Sequence, residues 1–229
     1  MAGPLLLTGC QSKKKPVLSG DEPVAVSDFI EFFPPLTLGF QAGDTMLNKK
    51  ENDTLRISYK IFTQFVPDTV LTRLFGKGNK PGIWAIGKAG VPDGETYLLI
   101  RAGTSAKKGW VLLAFDKKDK FIAAIPALIP DNKKETSQSF VLDKRYTITR
   151  AVQRRNADGS QSEGKDVFVL NEATGQFMLI LTEALDEKIT ELINPIDTLG
   201  RKHKYAADYG TGKMNLVSVR DGRKADRIS

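Results

Sequence analysis

The feature that most limits how this chain can fold is a set of strand-length segments that are apolar at every position. Tyr97–Ile100 reads YLLI, Trp110–Phe115 reads WVLLAF, and Phe121–Ile129 reads FIAAIPALI. A strand with one face in water alternates apolar and polar residues, because successive side chains point to opposite faces. A strand apolar at consecutive positions must be covered on both faces. The helical stretch before residue 82 is expected to cover one face. A second sheet, a barrel wall or a ligand is expected to cover the other.

Further strand-length runs surround these three. They are Ile83–Ile86, Phe140–Leu142, Tyr146–Val152, Val167–Leu170 and Phe177–Leu181. In Tyr146–Val152 the residues Tyr146, Ile148, Arg150 and Val152 fall at alternate positions, as in a half-exposed strand. The connections Asp116–Lys120, Asn156–Gly159 and Asn171–Gly175 are short and polar. They suit antiparallel hairpins and are too short for parallel crossovers. Two hairpins can be superposed, Val111–Ile125 (VLLAFDKKDKFIAAI) on Val167–Leu181 (VFVLNEATGQFMLIL), with convergence on one hairpin design favoured over duplication.

The helix signals lie earlier in the chain. Phe29, Ile30, Phe32 and Phe33 run into Pro34-Pro35, which stops any helix there. Ser58 is placed to cap a turn over Tyr59–Phe65. Pro67-Asp68 opens a helix over Thr69–Phe75, with Gly76 at its end and Val66, Val70, Leu71 and Leu74 as its packing stripe. Near the C-terminus, Glu183–Ile193 reads as a helix stopped by Asn194-Pro195, its Glu183, Glu187 and Glu191 on one solvated face. Leu216–Val219 reads as a strand before Asp221-Gly222, either at a sheet edge or at the end of a shortened chain. The expected fold is mainly β (α+β): an antiparallel β-meander forming a sandwich or a partly open barrel, with short helices packed from the N-terminal part.

Several chemistries are excluded or disfavoured. With one Cys and one His, the chain cannot supply a His/Cys zinc site. No apolar run approaches the roughly 18 residues that a membrane-spanning helix needs. Gly210-Thr211-Gly212-Lys213 lacks the first glycine of a phosphate loop, since position 207 is Ala207, and Met214 stands where Ser or Thr is required. Gly76-Lys77-Gly78 lacks a third glycine at the dinucleotide-binding spacing, and Asn156–Gly164 lacks calcium-loop spacing. His203 lies among Arg201, Lys202 and Lys204, where positive charge lowers its pKa. No catalytic set, metal site or cofactor is read from the chain. The formal charge is +7, with ten basic against five acidic residues over 61–130 and eight against five over 191–229. Those lysines sit mainly in connections such as Lys107-Lys108 and Lys117-Lys118. A nucleic-acid interface would show a continuous basic stripe with interleaved aromatics, so nucleic acid is not an expected partner.

The single cysteine carries the sharpest signal. Leu5, Leu6 and Leu7 lead into Leu7-Thr8-Gly9-Cys10, and the chain turns polar at once with Gln11, Ser12 and Lys13–Lys15. This resembles the lipobox of bacterial lipoproteins. There, small residues let a peptidase reach the backbone and the thiol receives diacylglycerol. The resemblance implies that Cys10 is lipidated and that the membrane is a partner through that lipid. Residues 1–9, which lack a basic n-region, are then the remnant of a signal peptide. Residues 10–24 are the lipidated cysteine and a flexible tether. Residues 25–229 form a single β-rich domain, helical or mixed over 25–82 and sheet over 83–220.

Asp44-Thr45-Met46, Asp53-Thr54-Leu55, Asp68-Thr69-Val70 and Asp197-Thr198-Leu199 resemble the Asp-(Ser/Thr)-apolar O-glycosylation acceptor of exported Bacteroidota proteins. Asp-Thr is also a common turn and cap pair. The stretches IEFFPPL, FVPDTVL, NPIDTL and VSVRDG resemble segments of envelope lipoproteins of that phylum, a likeness that implies no activity. Together these signs predict a membrane-anchored envelope lipoprotein on the outer membrane, at its periplasmic or surface face. Its expected role is a non-enzymatic binding module for an envelope protein or glycan. The alternatives are a β-barrel carrier of an apolar ligand and a hydrolase with an unrecognised site.

Overall fold

The computed structural model describes residues 17–20, 22–50, 52–129, 136–171 and 173–183, and the backbone of 204–207, 216–220 and 223–224. Helix α1 (Val26–Glu31) comes first, then strand β1 (Phe40–Gly43) and two 3-10 turns, Asp44–Asn48 and Asp53–Leu55. Strand β2 (Arg56–Ile57) and helices α2 (Tyr59–Phe65) and α3 (Thr69–Phe75) follow. Four strands then run as a meander: β3 (Gly82–Gly90), β4 (Thr96–Gly103), β5 (Lys108–Phe115) and β6 (Phe121–Leu128). A second meander comprises β7 (Thr136–Leu142), β8 (Ile148–Arg155), β9 (Gln161–Asn171) and β10 (Gln176–Glu183). Strands β11 (Lys204–Ala207), β12 (Leu216–Arg220) and β13 (Arg223–Lys224) complete the order.

The strands form two open five-stranded sheets, ordered β2-β3-β4-β5-β6 (the central sheet) and β1-β7-β8-β9-β10 (the outer sheet). Every pairing between these strands is antiparallel. The result is a sandwich rather than a barrel, because neither sheet closes on itself. Strands β11, β12 and β13 make a small sheet of their own with β12 in the middle. The strand at 216–219 is therefore neither an edge nor a last strand, since Arg223–Lys224 returns beside it.

The unbroken apolar runs are explained by position. One face of the central sheet, with Ile83, Leu98, Ile100, Val111 and Leu113, packs on Phe29, Phe62, Val70 and Leu71 of the helices. The other face, with Leu99, Leu112, Ala114 and Ile125, packs on Phe140, Leu142, Ile148 and Phe168 of the outer sheet. Neighbouring residues such as Leu98 and Leu99 thus belong to different cores.

The local devices follow from the sequence. Ser58 Oγ accepts from the Ile61 amide at 3.2 Å and caps α2. Gly76, at φ 89°, ends α3 in a conformation that suits glycine. The chain changes sides at Pro34-Pro35-Leu36. Lys88 N donates to Pro34 O, and Leu36 N donates to Lys88 O, both at 2.7 Å. This segment lies against β3 and leads the chain from the helical face to the outer sheet. A bulge between Ala85 and Gly87 reverses the phase of β3 there. Leu36 occupies the space over Gly87, where a Cβ would meet its Cδ1 at 2.7 Å.

Two expected boundaries shift. Tyr146 has φ 60° and lies in the turn, so β8 begins at Ile148. Leu18, placed in the tether by its sequence, is fully buried among the helices, and its carbonyl accepts from Ser58 N at 2.7 Å. Glu183 ends β10, and the remainder of the helix expected over 184–193 lies outside the described residues.

Candidate functional site

A recess of about 270 Å³ opens where α1 meets one end of the central sheet, at the β3–β4 and β5–β6 turns. Helix α1 contributes Ser27, Ile30 and Glu31, β3 contributes Lys88 and Gly90, β4 contributes Thr96, and the β5–β6 turn contributes Asp119. The bulge in β3 turns Lys88 to the helical side, where its Nζ bonds Glu31 Oε1 at 2.5 Å. Asp119 stands at φ 60°, in a turn whose Asp116 carboxylate accepts from Lys118 N and Lys120 N. From the outer sheet, Tyr146 stacks on Tyr97 with ring centroids 5.5 Å apart, and its hydroxyl donates to Gly90 O at 2.6 Å.

The recess is small, and its lining mixes apolar surface with the polar side chains of Ser27, Glu31, Lys88, Thr96 and Asp119. Among the described residues, neither Ser27 nor Thr96 has a carboxylate, imidazole or amine hydrogen-bonded to its hydroxyl, so no activated nucleophile is present there. Lys88 is engaged by an exposed carboxylate. Such a site can hold a small hydroxylated or amine-bearing group; it has no assembled relay for moving protons.

Two arginines lie inside the sandwich. Arg101 of β4, 3% exposed, donates to Leu47 O at 2.6 Å and to Lys49 O at 2.5 Å, holding the Asp44–Asn48 turn against the central sheet. Arg150 of β8 donates to Asp166 Oδ2 at 3.0 Å and to Pro126 O at 3.2 Å, and lies 5.0 Å from the Phe168 ring centroid. Asp166 also accepts from Thr182 Oγ1 at 2.8 Å. Burial pulls the Arg150 pKa down, and the neighbouring carboxylate opposes that. Both side chains join elements of the fold.

The proposed glycosylation sites fall on the surface where they are described. Thr45, Thr54 and Thr69 are all exposed, each in the first turn of a helical segment. The cap at Thr54 comes from Asn52, not Asp53, through Thr54 N to Asn52 Oδ1 at 3.1 Å. Asp68 makes no side-chain cap bond and instead accepts from the Tyr59 hydroxyl. Cys10 and Thr198 lie outside the described residues.

No family model, curated protein or solved structure matches this chain.

Among the described residues no three His, Cys, Asp or Glu side chains converge as metal ligands, and no helix is long and apolar enough to cross a membrane. Sequence reading did not find the recess, because Ser27, Glu31, Lys88, Thr96 and Asp119 come from four separate segments. Arg150 did carry a signal: it stands in phase with Ile148 and Val152, where an apolar residue is expected.

Proposed function

We propose that this chain is a lipid-anchored module of a bacterial envelope, held to the membrane through Cys10 and acting by binding an envelope protein or glycan. The observation that carries the reading is how the chain enters the body. Val17 is 75% exposed, and the next residue, Leu18, is fully buried in the helical layer. The lipobox-like Leu7-Thr8-Gly9-Cys10 thus stands a short distance ahead of a docking residue. From Cys10 to Leu18 the chain extends at most about 28 Å. A body on so short a lead sits close to the bilayer with its helical layer nearest the lipid.

Two observations favour binding over the alternatives. The space between the sheets is occupied by Leu99, Leu112, Phe140 and Phe168, all buried, which an apolar cargo would have to displace. The recess beside α1 has the size of one sugar or amino-acid unit and lacks an activated nucleophile. Exposure of Thr45, Thr54 and Thr69 suits O-glycan attachment, with Thr198 as the fourth acceptor.

The test is metabolic labelling with palmitate in the native host. The full-length protein is expected to take up label and fractionate with membranes, and Cys10→Ala to do neither. Equal labelling of the two would overturn the anchor. Mass spectrometry of the purified protein should find hexose-bearing peptides containing the Asp-Thr sites, lost on Thr→Val substitution.

A further inference from the structure

One end of the central sheet gathers positive charge from separate segments. Strand β3 starts there at Gly82, which pairs with Gly103, and Gly103 pairs with Lys108. The β4–β5 turn, with Lys107, and the approach to β3, with Lys77 and Lys80, therefore share this end. Strand β2 leaves it at Ile57, opposite Ile83, and the chain continues through Ser58 to Lys60. The Lys80 ammonium stands 5.9 Å over the ring of Tyr59, the neighbour of Lys60. Arg101, just before Gly103 on β4, donates to Lys49 O at 2.5 Å and so brings Lys49 and Lys50 to the same place.

These six lysines are all exposed, and among the described residues none of them forms an ion pair. Against them stand Asp53 and Asp68, with Glu51 next to Lys50 in the sequence, and Asp68 already accepts from the Tyr59 hydroxyl. The opposite end mixes signs. There Asp93 and Glu95 of the β3–β4 turn and Asp116 and Asp119 of the β5–β6 turn balance Lys117, Lys118 and Lys120. Strand β3, nine residues long, holds the two ends about 26 Å apart. Salt screens charge over about 10 Å at 0.1 M, so neighbours on one end add their fields while the two ends act separately.

The N-terminal segment docks at the basic end. Leu18 O accepts from Ser58 N at 2.7 Å, and Val17, the residue before it, is 75% exposed. Lys13, Lys14 and Lys15 stand just ahead of Val17 in the sequence.

We infer that this end of the sheet docks on the headgroup layer of an anionic bilayer, with Lys60, Lys77 and Lys80 against lipid phosphates. Lysines are mobile point charges that suit a diffuse headgroup layer, whereas a discrete phosphate ligand is better gripped by arginine forks. Val17 adds an exposed apolar side chain beside the charge, which the lipid interface can take in. The orientation towards the membrane rests on the lipid-anchor reading. The affinity does not, because charge alone supplies it.

The experiment is co-sedimentation of the full-length Cys10→Ala chain, which cannot be acylated at that residue, with lipid vesicles. The chain is expected to bind vesicles of equal parts phosphatidylglycerol and phosphatidylcholine. It should ignore vesicles of phosphatidylcholine alone and be released as salt rises. Each lysine near an anionic leaflet strengthens partitioning about fivefold. Lys60→Gln, Lys77→Gln and Lys80→Gln combined should therefore lower the partition coefficient by at least about tenfold, and the same three changed to Arg should keep it. Lys117→Gln, Lys118→Gln and Lys120→Gln combined, at the far end, should lower it by less than about twofold. No binding to the anionic vesicles would overturn the inference, as would equal losses from the two glutamine variants. So would tighter binding to duplex DNA than to vesicles at equal phosphate concentration, which would assign the patch to nucleic acid. Palmitate labelling decides the anchor separately: a native chain that takes no label, while its Cys10→Ala form binds vesicles, keeps this surface and loses only the anchor.

Discussion

At the scale of single residues, the ion pair of Arg150 and Asp166 is the most exacting commitment in the outer sheet. Both side chains are largely buried, and the guanidinium also bonds Pro126 O across the sandwich. Removing one partner from such a pair leaves an unpaired charge inside. Asp166→Asn is therefore expected to cost roughly 3–5 kcal/mol in urea unfolding, whereas replacing both residues by apolar ones of similar volume should cost much less. Tyr59 gives a pH-dependent case. Burial first, then the hydrogen bond to the Asp68 carboxylate and its charge, push the phenol up to about 12. Folded Tyr59 holds its proton more tightly than an unfolded tyrosine, which titrates near pH 10. Its contribution to stability is thus complete below about pH 10 and is lost as pH rises towards 12. Absorbance titration should show one of the five tyrosines ionising late, and Asp68→Asn should bring it earlier. Neither pair was legible in the sequence as a contact. Arg150 was visible as a charge out of place in an alternating strand, but its partner lies on the next strand, and strand register is not written in local pattern.

Elements were read far better, because their signals are local. Ser58 and Gly76 bracket α2 and α3 where the sequence places them, and each of the eight strands of the two meanders overlaps an expected run, with β6 ending one residue early and β8 beginning two residues late. Ser58→Ala is expected to lower stability by about 1 kcal/mol through loss of the cap. Strands β1 and β2 went unread: they are four and two residues long and exist because distant strands pair with them. The comparison of Val111–Ile125 with Val167–Leu181 takes on topological meaning. Each hairpin is the last of its four-strand meander, and each meander has one strand from the N-terminal part added beside its first strand. The two sheets thus repeat one plan. The crossing at Pro34-Pro35-Leu36 depends on Gly87 lacking a side chain. Gly87→Ala should be destabilising by about 1–3 kcal/mol, since the added methyl meets Leu36. Pairing it with Leu36→Ala should recover part of the loss in a double-mutant cycle.

For the whole molecule, the unbroken apolar runs foretold a sheet covered twice, and the structure supplies the helices and the outer sheet as its two covers. What the runs could not tell was whether the second cover was a sheet, a barrel wall or a ligand, since each buries the same residues. Leu98→Ala and Leu99→Ala test the layering directly. Each should cost about 2–5 kcal/mol, one by opening space under the helices and the other between the sheets. The backbone of β4 is common to both, which has a consequence for how the protein comes apart. Neither cover can be melted by itself without baring half the residues of the strands that hold the other. Heating or denaturant should therefore show one sharp loss of structure over residues 22–183, with tryptophan fluorescence and far-ultraviolet dichroism falling together at one midpoint. A chain assembled in three layers would then unfold as if it had only one.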